Sequence, residues 1–518
     1  MQKTDVLIVG AGPTGLVLGL WLTRLGVRVR IIDRTTAPAT TSRAVAVQAR
    51  TLEWYSQTGL AAEVVERSRR AMAVNVWVRG EKVARAAFDD MGRSVSPFPY
   101  PLLFAQDEHE RLLIDRLAEA GVTIERQTEL TDCEQTPHGV VARLAQPNRV
   151  LTCEAAFLAG CDGAHSTVRE KLQIGFQGGT YAHVFHVADV DGGGPALNGE
   201  VHVALDTTDF LAVFPLKGGG RARLVGTVRQ DADRVQENLS WNDVSKRVLT
   251  WMRIDVDRVN WFATYRVHHR VADRFRKDRV FLLGDAAHIH SPVGGQGMNT
   301  GIGDAINLAW KLAAVLQGRA VYSILDSYEA ERIAFARRLV ATTDRAFTAV
   351  TSESAMARLL RLVIAPRVIP LLFALPAARR FIFRIVSQTS VNYRASPLSA
   401  GRAGRIRGGD RLPWVEPEDD GVDNFAPLES LDWQVHIYGD VMPDVCAVCE
   451  QHRLPVHVFP WRPRARRAGL QRNAVYLVRP DGHIGLVIPP PGGGGARPGQ
   501  QSEQGARLRQ YVITQRGS

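Results

Sequence analysis

The hydrophobic pattern of the first 33 residues predicts a strand, a helix and a second strand in close succession. Residues 5–9 read DVLIV, a short and mostly β-branched run that is typical of a strand buried on both faces of a parallel sheet. Residues 14–25 place apolar side chains at helical spacing, and Gly26 is well suited to end that helix. Residues 27–33 again have the pattern of a strand. The chain therefore opens with a βαβ unit.

Alternating apolar and polar positions mark the middle of the chain. Between residues 181 and 228 they predict several strands of an antiparallel sheet, with a turn at 218–220. Residues 280–283 predict another buried strand, and residues 300–316 predict a long helix. Residues 326–390 are mostly helical in pattern and rich in arginine. This order of elements indicates an antiparallel sheet inserted into an α/β domain.

The last quarter of the chain has its own organisation. Residues 401–423 are rich in glycine, proline and acidic side chains, which is typical of a linker. A small α/β unit follows, and residues from 489 onward have low complexity. The predicted domains are 1–175 for the first part of the α/β domain, with an insertion near 72–105; 176–272 for the inserted sheet; 273–395 for the second part and a helical region; 396–423 for the linker; and 424–518 for the C-terminal unit with a mobile tail.

Composition narrows the classes of protein that fit. The 518 residues are 45% hydrophobic and 23% charged, which fits a globular protein of several domains and excludes a small disulfide scaffold. The net charge is +11, but only seven of the 64 basic residues are lysines, and they accompany no nucleic-acid-binding motif. Five cysteines cannot complete a disulfide framework and favour the cytoplasm. The apolar stretch 368–378 is too short to span a bilayer.

The loop after the first strand carries the first motif with a chemical meaning. Gly10 allows a tight turn, Gly12 lets a pyrophosphate approach the backbone, and Gly15 lets the helix pack on the strand. Pro13 suits the first helical position, and the N-terminus of the helix favours an anion. Asp33 stands 23 residues after Gly10, where it can accept hydrogen bonds from a ribose diol. Together these features predict a dinucleotide site.

Two later motifs distinguish between dinucleotides. Residues 160–169 read GCDGAHSTVR after a short apolar strand, residues 284–288 read GDAAH, and residues 292–299 read PVGGQGMN. With the opening glycines, these motifs stand in the order and spacing of the class A flavoprotein monooxygenases, the single-component aromatic hydroxylases, which the chain resembles from residue 2 to about residue 340. The resemblance implies a Rossmann-like FAD-binding α/β fold with an inserted antiparallel substrate-binding sheet and a C-terminal thioredoxin-like domain.

The same resemblance implies tight, noncovalent FAD and transient NADPH or NADH. Asp285 would bind the ribityl chain, and Asp162 would serve both FAD and the passing nicotinamide. The glycine-rich loop before residue 300 exposes backbone N–H groups, and the helix after it favours negative charge on reduced flavin. The predicted cofactor-binding residues are Gly10, Gly12, Pro13, Thr14, Gly15, Asp33, Arg34, Arg43, Gln106, Asp162, Gly284, Asp285, Gly295, Gln296, Gly297, Met298 and Asn299.

The implied reaction is monooxygenation of an electron-rich aromatic compound. NAD(P)H would reduce FAD, dioxygen would form a flavin C4a-hydroperoxide, and one oxygen atom would pass to a phenolic or polycyclic, polyketide-like substrate. The protein would position that substrate and exclude water. No catalytic base is assigned, because the family shares none, and no metal is expected. The pocket candidates are Arg221, Tyr265, His202 and Pro292, and further candidates on the inserted sheet are His183, His186, Arg223 and His268.

Several alternatives share these motifs. Baeyer–Villiger oxygenation, epoxidation and modification of an aromatic antibiotic use the same cofactor, and a catalytically silent flavin-binding partner protein would keep the same fold. Peripheral membrane association through the arginine-rich region 357–386 is a further alternative. The family resemblance also leaves a homodimer open. The pair Cys446 and Cys449 has redox spacing but lies inside the predicted helix, so we expect a structural role for it.

Overall fold

The fold is known from a computed structural model of the whole chain. It describes residues 2–38, 44–205, 210–228, 239–291, 295–352, 354–418, 421, 423–491 and 503–516.

A mostly parallel sheet forms the core of the first domain. Its central strand, Gln2–Val9, lies between Val29–Ile32 and Arg149–Gly160, and Val280–Leu282 continues the sheet on the far side. The side chains of Val6, Leu7 and Ile8 are fully buried, which explains the continuous apolar run. All four strands end at the same edge of the sheet, where ligands bind in open α/β folds. The remaining strands of this sheet are Ile124–Glu125, Glu129–Thr136, Gly139–Gln146 and Arg276–Lys277.

The helix Gly297–Leu316 runs through the middle of this domain. It packs against Pro13–Arg24, and the side chains from Asn299 to Ala314 are all buried, because other elements cover the helix on every side. The other helices of the first 390 residues are Ala49–Gln57, Ala61–Arg67, Phe88–Gly92, Gln106–Glu119, Thr167–Lys171, Lys246–Trp251, Asp326–Thr351, Ala355–Leu359, Ala365–Ala374 and Pro376–Val386, with short helical turns at Pro195–Leu197, Trp241–Asp243, Gly284–Ala286, Tyr322–Leu325 and Leu360–Ile364.

The predicted inserted antiparallel sheet is confirmed. Two long strands, Phe176–Gly193 and Asp255–Ala272, pair along most of their length. Two strands from much earlier in the chain, Ala73–Val78 and Glu81–Ala87, complete the far edge, and Ala73–Val78 joins Val201–Leu205 in parallel. The other strands of this sheet are Phe210–Pro215, Arg221–Val228 and His288–Ile289, and a separate small sheet contains Ala46–Val47, Arg69–Arg70 and Leu102–Leu103.

The C-terminal unit is built on a third sheet. Gln434–Tyr438 pairs in parallel with Val456–Phe459 and antiparallel with Val475–Val478, and Ile484–Ile488 follows. Helix Pro443–Gln451 connects the two parallel strands. The thioredoxin-like character of this unit stays a prediction. The remaining helices of the unit are Pro463–Ala468, Glu503–Arg516 and the turn Ala426–Ser430.

Two predictions for the end of the chain are wrong. The segment 396–423 is not a linker throughout, because Ala400–Ala403 pairs with Ile484–Ile488 and Leu412 is fully buried in the C-terminal core. The end of the chain is not a mobile tail throughout either, because Glu503–Arg516 is a helix whose Leu508 is fully buried. Both segments are rich in small and polar residues, yet each meets an apolar surface that lies far away in sequence.

Among the described residues, no single helix combines the length and the apolar character needed to cross a bilayer. The helices Ala355–Ala374 and Pro376–Val386, which meet at an angle of 100°, satisfy that test only as a pair.

Candidate functional site

A cavity of about 270 Å³ opens at the carboxyl edge of the parallel sheet, beside the opening glycines. Gly10 has a φ of +105°, and a Cβ there would lie 2.3 Å from the carbonyl oxygen of Cys161. A Cβ on Gly15 would lie 2.1 Å from the carbonyl oxygen of Gly10. A Cβ on Gly12, by contrast, would meet no atom within 4 Å. Gly12 therefore borders open space at the start of Pro13–Arg24, whose N-terminal N–H groups have no side-chain cap.

Asp33 and Arg34, which follow strand Val29–Ile32, line this first cavity near the glycine loop. One carboxylate oxygen of Asp33 accepts a hydrogen bond from the Ala11 N–H at 2.8 Å, and the other accepts one from the Thr35 N–H at 2.8 Å. Arg126 lies 3.4 Å from the same carboxylate. Asp33 thus ties the end of its strand to the glycine loop, while its side chain stays at the cavity wall.

Asp162 lines the same cavity from the end of strand Arg149–Gly160. Its carboxylate accepts hydrogen bonds from the Ser166 hydroxyl at 2.6 Å and from the Val168 N–H at 3.1 Å, which places it beside the start of helix Thr167–Lys171. Burial raises the pKa of Asp162, although these donors oppose the shift. The carboxylate is therefore held rigidly at the wall.

A second and larger cavity, of about 560 Å³, lies between the parallel sheet and the inserted sheet. Both cavities are lined by Gly12, Cys161 and Gly163, so the two cavities adjoin each other at the glycine loop. The α/β domain lines the larger cavity with Pro13, Thr14, Gln106, Asp285, Gly295, Gln296, Gly297 and Met298, and the inserted sheet lines it with Phe214, Val225, Tyr265, Arg266, Val267 and His268.

The loop that precedes helix Gly297–Leu316 forms one wall of the larger cavity. Gln296 is the N-cap residue of that helix and makes no side-chain cap hydrogen bond, so the first N–H groups of the helix are available to a ligand. Gly295 has a φ of +61°, a left-handed conformation that favours glycine. Backbone N–H groups and the positive end of a helix together favour an anionic ligand at this wall.

Asn299 differs from its neighbours in this loop, because it does not line either cavity. Its side-chain amide donates hydrogen bonds to the carbonyl oxygens of Ala46 at 2.9 Å and Gly295 at 3.0 Å, and its oxygen accepts one from the Gln48 N–H at 2.9 Å. Asn299 is fully buried. The side chain therefore fixes the loop, and contact between Asn299 and the cofactor stays a prediction.

A buried ionic cluster behind the cavity holds the Gly284-Asp285 turn. Asp304, in the middle of helix Gly297–Leu316, accepts hydrogen bonds from the Gly284 N–H at 3.0 Å, from His288 at 2.6 Å and from Arg332 at 2.5 Å. Burial alone would raise the pKa of Asp304, but Arg332 and His288 hold it below its usual value. Sequence reasoning missed this cluster. The polar residues Asp304, Asn307 and Lys311 on one face of an otherwise apolar helix are the signal that could have found it.

His290 lines the larger cavity next to the glycine-rich loop. Its Nδ1 lies 2.8 Å from the carbonyl oxygen of Ser291, whereas its Nε2 is buried without a hydrogen-bond partner in the described part of the chain. Burial lowers the pKa of His290 to about 4, so the ring is neutral near pH 7. A buried polar atom of this kind is commonly satisfied by a ligand.

The predicted pocket residues separate into those that line the cavity and those that do not. Tyr265 and His268 line it, and His268 Nδ1 lies 2.7 Å from the Thr180 hydroxyl. His202 does not, because it is fully buried with its ring nitrogens 2.9 Å from Trp77 Nε1 and 2.9 Å from Asn198. The predictions for the other residues have the following outcomes: Arg221 pairs with Asp191 and lines a different pocket, His186 and Arg223 do not line the cavity, and Arg43, Pro292 and the His183 side chain lie outside the described residues.

Sequence reasoning missed the apolar part of the roof. Phe214, Val225 and Val267 come from three strands of the inserted sheet and line the larger cavity. Val225 and Val267 are almost fully buried. The alternation over residues 181–228 predicted strands around Phe214 and Val225, but the face that meets the cavity depends on how the two sheets pack.

The combined cavity fits FAD. The open space at Gly12 and the uncapped N-terminus of Pro13–Arg24 suit a pyrophosphate, and Asp33 suits a ribose. The loop at Gly295 and Asp285 would hold the flavin end. Bound FAD supplies redox chemistry and the activation of dioxygen.

Comparison with known proteins identifies the family. Residues 3–343 match the family described as the FAD binding domain. The chain is 40% identical over 405 residues to 6-methylpretetramide 4-monooxygenase of Streptomyces rimosus, which covers 77% of this chain and 71% of that protein.

Solved structures agree in fold over the whole chain. The anhydrotetracycline hydroxylase OxyS from Streptomyces rimosus matches with a TM-score of 0.77 at 28% identity and covers 100% of both chains. Aklavinone-11 hydroxylase, solved as a ternary complex with FAD and aklavinone, matches with a TM-score of 0.77 at 25% identity and covers 99% of both chains. The chain belongs to the FAD-binding family of class A flavoprotein monooxygenases, and it is an FAD-dependent oxidoreductase.

Proposed function

We propose that the protein hydroxylates a polycyclic aromatic substrate, using FAD, NAD(P)H and dioxygen. The observation that carries this proposal is the larger cavity of about 560 Å³, in which apolar side chains of the inserted sheet face the loop before helix Gly297–Leu316. The cavity has to hold the flavin end of FAD as well as a substrate, so it is the apolar roof that favours an aromatic compound. The names of the similar proteins support the same substrate class, since they include enzymes of tetracycline-type precursors and of aklavinone.

The chain's own residues would act by binding, orienting and excluding water. Phe214, Val225 and Val267 offer an apolar surface to an aromatic ring system. Tyr265 and His268 place polar groups on the same roof, where they can orient a phenolic oxygen. Closing this space against water limits unproductive loss of the activated oxygen.

The direct test measures turnover with a panel of compounds. Purified protein reconstituted with FAD is supplied with NADPH or NADH and with tetracyclic, anthraquinone-type and single-ring phenols. We expect polycyclic compounds to accelerate NAD(P)H oxidation and to yield a product that carries one oxygen atom from labelled dioxygen. If only single-ring phenols are hydroxylated, the proposed substrate class is wrong. If FAD binds and no compound accelerates NAD(P)H oxidation, a catalytically silent flavin-binding protein is the better description.

The products distinguish the alternative reactions. Hydroxylation leaves the ring skeleton intact, whereas Baeyer–Villiger oxygenation inserts oxygen next to a carbonyl carbon and gives an ester or lactone. Epoxidation gives a product that water opens to a diol. NMR of the isolated product separates these outcomes, and loss of antibacterial activity of an aromatic antibiotic would identify antibiotic modification.

We further propose that the enzyme works in the cytoplasm. All five cysteines are unpaired, which suits a reducing compartment. Fractionation of the source cells tests this location, and sedimentation velocity of the holoprotein tests the homodimer that the family resemblance leaves open.

A further inference from the structure

The helices between residues 355 and 386 expose an unusual amount of apolar surface. Eleven of the sixteen large apolar side chains that are exposed in the described part of the chain lie between Met356 and Ile385. Leu371 is 67% exposed and Phe381 is 63% exposed. Proteins that stay in water rarely leave so contiguous an apolar patch uncovered. We call this surface the apolar helical face, defined by Met356, Leu360, Val363, Leu371, Leu375 and Phe381.

The spacing of these side chains shows that the face is a regular helical stripe. Exposed apolar residues occupy positions 356, 359, 360, 363, 364, 368, 371, 372 and 375, so that most of them have another member of the series three or four positions away. This is the pattern that normally turns toward a protein core. Here the stripe faces outward along the whole run from Ala355 to Ala374, and Phe381 and Ile385 extend it onto the next helix.

The charge on this region has one sign. Six arginines and no acidic residue lie between positions 355 and 386, and the next acidic residue along the chain is Asp410. Four of these arginines are exposed, namely Arg358, Arg367, Arg380 and Arg384. Arg379 lies 3.8 Å from Asp90, and Arg361 is buried. The exposed face is therefore both apolar and cationic.

The inner side of the same helices packs close to the larger cavity. Phe383, on Pro376–Val386, is buried in a cluster that contains Val45, and Phe214 packs against that cluster. Val45 and Phe214 also line the cavity. The inner side of helix Pro376–Val386 is thus joined through one buried cluster of side chains to the space that we assign to the substrate.

Three arrangements could cover such a face: a second copy of the chain, a bilayer that the helices cross, and the surface of a membrane. Charge and helix geometry distinguish among them. In a symmetric dimer the same patch would meet itself, which would bring the exposed arginines together, and residues 355–386 contain no acidic side chain to pair with them. The 100° bend and the arginines within the sequence disfavour a helix that crosses a bilayer. A surface that is apolar in depth and anionic at its boundary matches both features of the face, and an anionic lipid membrane is such a surface.

We propose that the apolar helical face docks on an anionic lipid membrane. The apolar side chains enter the boundary between headgroups and acyl chains, and the exposed arginines contact anionic headgroups. The enzyme stays on one side of the membrane, with its cavity close to the lipid. This inference goes beyond the proposed function, because it does not depend on which compound is hydroxylated.

The first experiment measures binding of the FAD-loaded full chain to vesicles. Phosphatidylcholine vesicles with and without phosphatidylglycerol are floated on a density gradient at low and at high salt. We expect the protein to float with the phosphatidylglycerol vesicles, and high salt should weaken that binding because it screens the arginines. Failure to float with anionic vesicles at low salt would overturn the proposal.

Matched variants locate the binding surface. Leu360→Gln combined with Leu371→Gln should weaken vesicle binding by about tenfold or more, because each apolar side chain that enters the lipid stabilises the bound state. Arg358→Gln combined with Arg380→Gln should weaken it by about fivefold for each arginine. The controls change exposed residues elsewhere, Val150→Gln with Val458→Gln and Arg466→Gln with Arg467→Gln, and should bind like the parent protein. Equal losses in the controls would contradict the assignment.

A variant that gains a fluorescence signal on binding gives a test that does not depend on a loss of vesicle binding. Leu371→Trp should shift its tryptophan emission to shorter wavelength with anionic vesicles, and brominated lipids should quench it.

Sedimentation velocity tests whether a second copy of the chain covers the face instead. If Leu360→Gln with Leu371→Gln turns a dimer into a monomer while the parent protein ignores vesicles, the face is a subunit interface and the proposal is wrong. A partner protein that covers the face, while the parent protein binds no vesicles, would also overturn the proposal.

Discussion

The two ends of helix Gly297–Leu316 differ in almost every respect. At its N-terminus, small residues and uncapped N–H groups face the cavity that fits the flavin. Near its C-terminus, the Lys311 ammonium donates to Glu331 at 2.8 Å, and Glu331 also pairs with Arg479 of the C-terminal unit at 2.7 Å. All three side chains are fully buried. One end offers unsatisfied backbone groups to a ligand, and the other satisfies buried charges within the protein.

This contrast explains how the C-terminal unit supports the site without lining it. Arg479 and Asp481 lie on the turn between two strands of the third sheet, and Arg479 also pairs with Asp481 at 2.6 Å. The Trp310 N–H donates to Asp481 at 3.3 Å. Burial would raise the pKa of Glu331, but Arg479 and Lys311 hold it well below its usual value. The C-terminal unit therefore anchors the far end of the helix whose near end forms the cavity wall.

The largest expected effect comes from removing the shared carboxylate. Glu331→Gln leaves Lys311 and Arg479 buried without a full counter-charge, so the free energy of unfolding should fall by about 3–5 kcal/mol in urea denaturation. Glu119→Gln is the control, because Glu119 is 65% exposed beside Arg116 and its loss should cost at most about 1 kcal/mol. If the two ends act independently, the folded variant should bind FAD as the parent does. A smaller loss of unfolding free energy for Glu331→Gln than for Glu119→Gln would show that Glu331 does not stabilise the contact between the helix and the C-terminal unit.

The next effect is expected in the middle of the helix. Asp304→Asn removes the charge that holds His288, Arg332 and the Gly284 N–H, and should lower the free energy of unfolding by about 1.5–3 kcal/mol. Because Gly284 positions Asp285, the FAD dissociation constant should also rise. Fluorescence titration with FAD measures the second effect. An unchanged dissociation constant would show that the cluster serves stability alone.

Asp285 tests the cavity end directly. Asp285→Ala should weaken FAD binding by about tenfold or more, which is the loss expected for a hydrogen bond to a charged group. It should leave urea denaturation of the FAD-free protein close to that of the parent, because the Asp285 side chain is exposed to the cavity. Asp257→Ala, an exposed acid on the inserted sheet, is the matched control. Purification of Asp285→Ala with a full complement of FAD would contradict the assignment.

A smaller effect concerns acid sensitivity at the cavity end. Burial lowers the pKa of His290 from 6.5 to about 4, so the unfolded chain binds a proton on this ring that the folded chain does not bind between these values. The contribution of His290 to stability should therefore decline as pH falls from about 6.5 to about 4, by about 1 kcal/mol for each pH unit. His290→Gln should remove that part of the slope in thermal denaturation followed against pH. An identical slope in the variant would exclude this origin.

The smallest effect is expected for the cysteine pair of the C-terminal unit. Cys446 is exposed, Cys449 is buried, and burial raises the pKa of the Cys449 thiol to about 12. Such a thiol is a poor nucleophile near pH 7. Replacing both cysteines by serine should therefore leave kcat and KM within about twofold of the parent values. A large loss of turnover that follows the oxidation state of the parent protein would show that the unit is redox-active.

The sequence predicted much of the fold because its main signals are local. The opening βαβ unit, the glycine positions and the inserted antiparallel sheet follow from periodicity and from backbone conformations that only glycine readily adopts. The same reasoning predicted a linker at 396–423 and a mobile tail, both of which the structure corrects. Low complexity indicates weak local preference, but it does not reveal an apolar partner surface that another part of the chain provides.

The sequence by itself determined that the chain opens with a dinucleotide-binding loop, because GxGxxG acts through backbone geometry within a few residues. The roles predicted for Asp162 and Asp285 rest on the family resemblance. Only the tertiary structure decided that Asn299 fixes a loop, that His202 lies away from the cavity, and that Glu331 joins two units. Those roles depend on contacts between residues that stand far apart in the sequence, such as Asn299 and Ala46, which are 253 positions apart. A local pattern cannot specify which distant surfaces meet, since that depends on how the whole chain buries its apolar area.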